Sequence, residues 1–219
     1  MKTKAILAST LVTLGVISSC VKHEIIPAPV PKVELSCHFQ GKVNLTDIEL
    51  TQNVSGYYLE TNKSKFVIPN APSEAVYYSE IKSGESLIAV KLNLGTIYWD
   101  ASISADPTAA LFNGFMTANT DPTYKLGGKN GFEVVYRDAN GVVWTSDEND
   151  LTNTIQFTNI VQESDATGDY SKFVANFTAT VYHTFMVVTP GVPPLPNDTT
   201  YNTQSFMIKD GIFKGWFKR

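Results

Sequence analysis

Apolar and polar residues alternate along much of the chain, and the alternation is clearest near the C-terminal end. Between 173 and 182 every second residue is apolar, and these residues are Phe173, Ala175, Phe177, Ala179 and Val181. Because successive side chains of a β-strand point to opposite faces, this pattern predicts a strand with one buried face. The β-rich run covers 171–188, which is longer than one sandwich strand, so we expect it to bend or project before His183.

Several other segments have the composition of β-strands, because they are rich in β-branched and aromatic residues. The predicted strands cover 86–92, 96–103, 131–137, 142–145 and 154–161. Two turns favour hairpins between neighbouring antiparallel strands, since Gly, Asp and Asn accept positive φ. One is the four-residue loop from Asp138 to Gly141, and the other is the Asp210-Gly211 pair within 207–213.

Helical signals are sparse. The Asp106-Pro107 pair predicts the start of a short helix that runs through Phe115, and Ser73 predicts a second helix that ends before Gly84. Short apolar strands separated by turns, with few helices, predict an all-β domain built as an antiparallel sandwich or barrel. No internal repeat of fixed period accompanies them.

The first 19 residues have the pattern of a secretory signal peptide. Lys2 and Lys4 precede an uncharged apolar run of about 13 residues that closes in Ser18-Ser19-Cys20. A transmembrane helix needs about 20 such residues, so this run is too short to span a membrane. We therefore expect a cleaved targeting segment over 1–19.

The segment Ile17-Ser-Ser-Cys20 resembles the lipobox of bacterial lipoproteins. This resemblance implies that a diacylglyceryl group joins the Cys20 thiol and that Cys20, acylated as in palmitoylated lipoproteins, anchors the mature chain to a membrane. The alternative is a cut elsewhere that leaves Cys20 as an ordinary thiol. By resemblance to Gram-negative sorting rules, Val21 in place of Asp favours the outer membrane, and the periplasmic and surface faces both stay open.

Proline spacing marks the next segment as a tether. Between Ile25 and Pro31, proline alternates with small or apolar residues, which favours a polyproline II spacer of roughly 40 Å if fully extended. We expect the lipidated cysteine and tether over 20–34 and a single β domain over 35–219. Cys37 is the only other cysteine, so lipidation of Cys20 would leave no partner for an intrachain disulfide.

Charge and motif content argue against several functions. The chain has 17 basic and 21 acidic residues, and without Lys2 and Lys4 the mature chain carries a net charge of −6. It lacks a basic stretch, which excludes a nucleic-acid footprint. Gly-x-Ser-x-Gly, His-Glu-x-x-His and phosphate-binding glycine loops are absent from the sequence. We therefore predict that the protein is not an enzyme and has no catalytic residue, metal site or cofactor.

The candidate ligands for metal are few. His23 lies in the tether, and Cys37 and His38 are adjacent, so on a strand their side chains point to opposite faces. A buried thiol at the first strand of the domain is the preferred interpretation of Cys37. The acidic clusters 147–150 and 165–169 lack the Asp-x-Asp-x-Asp-Gly spacing of calcium loops, and we interpret them as polar turns, with calcium binding as the alternative.

The last fifty residues resemble the C-termini of small lipoproteins common in Bacteroidetes. In these lipoproteins an alternating F-x-A-x-F-x-A strand is followed by a variable loop and then by a pair of strands around D/N-G-x-F. In this chain the first motif begins at Phe173, and the second consists of Asp210, Gly211 and Phe213. The resemblance implies an envelope location and a β fold. It implies no function, because such proteins are mostly of unknown function. The proline-rich insertion 189–197 departs from the usual short connection.

The preferred function is a non-catalytic structural or interaction module of the cell envelope, as part of a larger protein complex. The stretch 184–197 is uncharged and apolar, and its prolines cannot join a central strand. Exposed apolar surface marks contact sites, so we predict partner contact by Phe185, Val187, Val192 and Leu195. The alternative is a loop that folds back over one end of the domain.

A glycan-binding accessory lipoprotein of a polysaccharide uptake system is the alternative function. Trp99, Trp144 and Tyr98 supply aromatic faces that can stack on sugars. Because Trp99 follows Tyr98 directly, one of the two faces outward in a regular strand. Core packing is the competing interpretation of each tryptophan.

Overall fold

Ten antiparallel strands form one curled sheet in the computed structural model, which describes residues 32–68, 71–189 and 198–219. The signal peptide, Cys20 and most of the tether lie outside the described residues. One α-helix, α1 (Ala109–Ala118), and a short 3-10 turn (Leu126–Gly128) accompany the strands in the described part. The strands are β1 (His38–Val43), β2 (Thr46–Thr51), β3 (Tyr57–Phe66), β4 (Ser73–Ser83), β5 (Ala89–Trp99), β6 (Gly131–Arg137), β7 (Val143–Ser146), β8 (Thr154–Asp165), β9 (Gly168–Thr189) and β10 (Asp198–Lys218). The prediction of an all-β, barrel-like domain is confirmed.

The sheet has the strand order β2-β1-β10-β9-β7-β6-β5-β4-β3, and β8 pairs with β9 beside this path. The first part of β9 therefore pairs with β8, and its middle pairs with β7. The sheet curls into a half-barrel, and this curvature brings Gly215 of β10 against β3, which is far from β10 in the strand order. A Cβ at Gly215 would lie only 2.8 Å from Leu59 Cδ1.

The interior of the half-barrel is apolar and rich in aromatic rings. The alternation predicted for β9 is confirmed, because side chains from Phe173 to Val181 are buried at every second position. Phe173 stacks on Phe217 of β10 with ring centroids 4.7 Å apart. Helix α1 packs Phe112 against Tyr77 of β4 at 5.1 Å. The helix thus covers part of the inner face of the curled sheet.

The helix predicted from Ser73 to Gly84 is wrong, because this segment is strand β4. Its inner face alternates with period two, and the buried residues are Ser73, Ala75, Tyr77, Ser79 and Ile81. Two of the five are serines, so the apolar half of the alternation was hidden in the sequence. Ser73 Oγ accepts a hydrogen bond from the Ile68 amide at 3.1 Å instead of capping a helix.

The hairpin predicted at Asp210-Gly211 is also wrong. Asp210 does have a positive φ of 51°, but it forms a bulge inside β10, since residues on both sides of it pair with β9. Gly211 is required there by close approach, because a Cβ would lie 2.9 Å from the Phe177 ring. The strands predicted over 86–92 and 96–103 are parts of one strand, β5, which covers only Ala89–Trp99, and residues 101–103 form a turn.

Other local predictions are confirmed. Asp138 to Gly141 connects β6 and β7 as an antiparallel hairpin, with Gly141 at φ 82°. The helix expected after Asp106-Pro107 forms as α1, although Thr108 caps it by accepting a hydrogen bond from the Leu111 amide at 3.3 Å. Asp106 instead lies 3.0 Å from both Lys63 and Lys65.

Candidate functional site

Strands β9 and β10 continue past their neighbours as a two-stranded ribbon. The last residue of β9 paired with β7 is Tyr182, and the pairing of β10 with β1 begins at Ile208. Residues 183–189 and 198–204 pair with each other, and no third strand among the described residues pairs with their backbone. We call these two segments the arm. Its seven β9 residues extend about 23 Å at 3.3 Å per residue.

The arm is uncharged along almost its whole length and exposes apolar side chains on its outer face. Met186 is 58% exposed and its cross-strand neighbour Tyr201 is 71% exposed. Residues 184–189 and 199–206 contain no charged side chain. The predicted contact residues Phe185 and Val187 lie on the other face and are half-buried. Val192 and Leu195 lie outside the described residues.

The inner face of the arm continues the core face of β9 as a chain of stacked rings. Trp144 of β7 lies 4.6 Å from Phe206 and 5.4 Å from His183, measured between ring centroids. His183 in turn stacks on Phe185 at 6.0 Å with an interplanar angle of 15°. His183 Nδ1 donates to the Val143 carbonyl at 3.0 Å, which fixes the orientation of the imidazole. The core face therefore passes from the buried interior into the arm.

A pocket of about 590 Å³ opens at the base of the arm. Its apolar floor is formed by Tyr136, Trp144 and Phe206, and its rim carries the neutral amide side chains of Asn44, Asn140 and Gln204. We call it the foot pocket. Aromatic floors with a few polar rim groups are typical of small-molecule sites.

Asp138 is the one charged residue among those that line the foot pocket. Its Oδ2 accepts from Trp144 Nε1 at 3.1 Å, and its Oδ1 accepts from the amides of Asn140 and Val142 at 2.8 and 2.9 Å. Burial opposes ionisation of Asp138, but these hydrogen bonds and the nearby His183 outweigh it and hold its pKa below the usual range. The carboxylate thus fixes the hairpin and the indole ring, which is a structural role.

The structure does not bring the three predicted glycan-stacking residues together. Trp99 is buried, and its Nε1 donates to the Ser104 carbonyl at 3.0 Å. Tyr98 is 46% exposed, and its hydroxyl donates to Asn130 Oδ1 at 2.8 Å. Tyr98 and Trp99 lie at the C-terminal end of β5. The N-terminal end of β5 is the one near the foot pocket, because Val90 there pairs with Tyr136. Of the three, only Trp144 belongs to the foot pocket.

The Cys37 thiol is buried, and the acidic turns are held by hydrogen bonds. Burial raises the pKa of the Cys37 thiol to about 11, which makes it a poor nucleophile or ligand at neutral pH. Asp150 accepts from Thr152 and from the Tyr182 hydroxyl at 3.0 Å, and Asp165 accepts from Thr167 and from the Val33 amide at 2.8 Å. Within the described ranges, no group of three or more acidic, His or Cys residues is arranged to hold a metal ion.

Comparisons of the chain with protein-family models, with curated proteins and with solved structures found no match. No helix in the described segments is long and apolar enough to cross a membrane. The function is therefore inferred from the chemistry of the arm and the foot pocket.

Sequence reasoning missed Tyr136 and Phe206 as site residues. Tyr136 lies in the predicted strand 131–137 and Phe206 lies outside every predicted strand, and the contact that joins them spans about seventy positions of the chain. Each is an aromatic residue of a kind common in the core, so the sequence carried no signal that it borders a pocket. Trp144 was singled out from the sequence, and His183, which continues the apolar face of β9, lies beside it.

Proposed function

We propose that this protein is a lipid-anchored, non-catalytic interaction module of the bacterial cell envelope and that the arm carries its partner-contact surface. The observation that supports this proposal is the uncharged ribbon that extends about 23 Å beyond the sheet. A two-stranded ribbon is marginally stable by itself in water. An exposed ribbon with apolar side chains and open edges gains stability when another surface covers it.

The position of the arm relative to the start of the domain supports a partner away from the anchor. The Val33 amide bonds to Asp165 at the turn that precedes β9, so the chain joins the domain near the beginning of this strand. The arm lies at the other end of β9, whose 22 residues span up to about 70 Å. The arm therefore lies at the opposite end of β9 from Asp165 and Val33, where the described chain enters the domain.

In-cell photocrosslinking tests the proposal on the full lipoprotein. A photoreactive phenylalanine derivative replaces Tyr201 in the arm or, as a control, the exposed Tyr58 of β3. We expect protein adducts from position 201 and none from position 58. The double variant Met186→Lys/Val188→Lys should abolish the adducts while the melting temperature stays nearly unchanged, because both side chains are exposed.

Two results would contradict the proposal. Equal adducts from positions 201 and 58 would mean that the arm has no special contact. A fall of many degrees in the melting temperature of the lysine variant would mean that the outer face of the arm belongs to the folded core.

A second candidate function is glycan binding, and the composition of the foot pocket favours it. Three aromatic rings and three neutral amides suit a sugar, whose C–H faces stack on rings and whose hydroxyl groups bond to amides. Calorimetric titration with envelope oligosaccharides tests this candidate. Phe206→Ala and Asn140→Ala should weaken binding and Tyr98→Ala should not, and the absence of heat with every sugar in the wild type would end the candidate.

A further inference from the structure

Among the described residues, three further strands of the sheet have one unpaired edge, and all three carry charged residues. Strand β2 has Asp47 and Glu49, β3 has Lys63 and Lys65, and β8 has Glu163 and Asp165. Charged side chains on edge strands oppose pairing with another chain. The β9 edge of the arm lacks this protection, because no residue from 184 to 189 is charged.

We infer that the β9 edge of the arm pairs antiparallel with the same edge of a second copy of this chain. This inference rests on the proposed function, in which the arm is the contact surface, and it names the partner. The two arms would form a four-stranded sheet with the order β10-β9-β9-β10 across a two-fold axis. An isologous contact of this kind closes on itself and limits the assembly to a dimer.

The sequence of the β9 edge is complementary to itself. A two-fold axis perpendicular to the sheet places residues of the same face opposite each other, and an axis at Met186 pairs Met186 with Met186 of the second copy. Phe185 then lies opposite Val187 of the second copy, and Thr184 lies opposite its Val188. Apolar and β-branched cross-strand pairs of this type stabilise a sheet.

The other edge of the arm fits a second copy less well. A two-fold axis at Tyr201 of β10 pairs Thr200 with Asn202 and Thr199 with Thr203, so most of the opposed side chains are polar. The inner-face rings of His183 and Phe185 also lie on β9. Pairing through β9 therefore brings the two aromatic rows side by side and covers apolar area that pairing through β10 leaves exposed.

Cysteine crosslinking of the full-length lipoprotein in its own envelope tests the two-fold register. Directly opposed residues of antiparallel strands have Cα atoms about 4.5–5.5 Å apart, which suits a disulfide. Met186→Cys should form a disulfide-linked dimer when a copper–phenanthroline oxidant is added, as seen by non-reducing electrophoresis. The native Cys37 is 3% exposed and does not compete.

Val188→Cys is the matched control, because it lies on the same face of the same strand and is also exposed. In this register Val188 lies opposite Thr184 of the second copy. The two residues at position 188 are therefore four residues apart along the strands, about 13 Å, and the single variant should stay monomeric. The double variant Thr184→Cys/Val188→Cys should restore the dimer. This restoration shows that the variants fold and that the register is centred on Met186.

Two outcomes would overturn the inference. One is a monomeric Met186→Cys protein, and the other is equal dimer formation by Met186→Cys and Val188→Cys. If position 201 crosslinks to a different protein while Met186→Cys stays monomeric, the arm is a contact surface for another partner. The proposed function then stands and the second copy is rejected.

Discussion

Asn93 of β5 and Glu133 of β6 face each other across the sheet, and Asn93 Nδ2 donates to Glu133 Oε2 at 2.6 Å. Glu133 Oε1 accepts from the Gly127 amide at 2.7 Å, and the carboxyl group is buried. We expect Asn93→Leu to lower the free energy of unfolding by about 2–3 kcal/mol, because it leaves a buried oxygen without a donor. Urea unfolding measures this change, and Asn176→Leu, at an exposed position of β9, should stay within about 0.5 kcal/mol of the wild type.

Acid should weaken the domain through Asp165. The hydroxyl of Thr167 and the Val33 amide hold the pKa of Asp165 at about 2, below the value near 3.9 of an unfolded aspartate. A lowered pKa stabilises the fold above pH 4, and this contribution is lost as the pH falls from about 4 through 2. Asp165→Asn should therefore lower the melting temperature at pH 6 and make little difference at pH 2.

The control for this pH dependence is Asp47→Asn, whose side chain is 88% exposed and lies 3.8 Å from Lys42. Exposed ion pairs contribute little to stability, so its melting temperature should follow the wild type at both pH values. A difference between wild type and Asp165→Asn that persists unchanged at pH 2 would show that the Asp165 charge does not stabilise the fold.

Two glycines should respond in opposite directions to alanine. At Gly215 a Cβ would lie 2.6 Å from Phe213 Cε1 and 2.8 Å from Leu59 Cδ1, so Gly215→Ala should destabilise the domain by about 1–3 kcal/mol. Gly114 lies inside α1 with nothing within 4 Å of a Cβ, so Gly114→Ala should stabilise it by about 0.5–1 kcal/mol. Thermal unfolding of both variants gives the comparison, and a neutral Gly215→Ala would mean that the Phe213 and Leu59 side chains move aside without cost.

Lipidation at Cys20 has its own test. Cys20→Ala removes the thiol that the lipobox resemblance marks for acylation, so the variant should accumulate as unprocessed precursor or leave the membrane fraction. Metabolic labelling with a palmitate analogue reads this directly. Label that persists undiminished in the variant would reject the anchor.

The alternating strands were predictable because one residue type dominated each face. In β9 the inner positions are all apolar between Phe173 and Val181, and the pattern gave both the strand and its buried face. In β4 two inner positions are serines, and because serine is also a common helix cap, the segment has the sequence features expected at the start of a helix. The hairpin predicted at Asp210-Gly211 was wrong for a related reason, because a tight turn and a β-bulge both need a residue with positive φ.

The candidate site was predictable only in parts. Phe185 and Trp144 were each singled out, but under different functions, and the structure joins them through His183. That contact connects strands about forty positions apart in the chain, and a single sequence does not say which strands are neighbours. The free edges of the arm depend on where β1 and β7 stop, which is equally a property of strand pairing.

The antiparallel pairing of β1 with β10 has a mechanical consequence. The chain reaches β1 at His38, opposite Lys214, while β10 leaves this ladder near Ile208 and continues into the arm. Tension between a membrane anchor and a partner held by the arm would pull the two strands lengthwise in opposite directions. Their hydrogen bonds run perpendicular to that pull, so they bear it in shear and share the load instead of breaking one after another. Under the proposed function, the β1–β10 pair would therefore carry a pull between anchor and arm while the two strands stay paired.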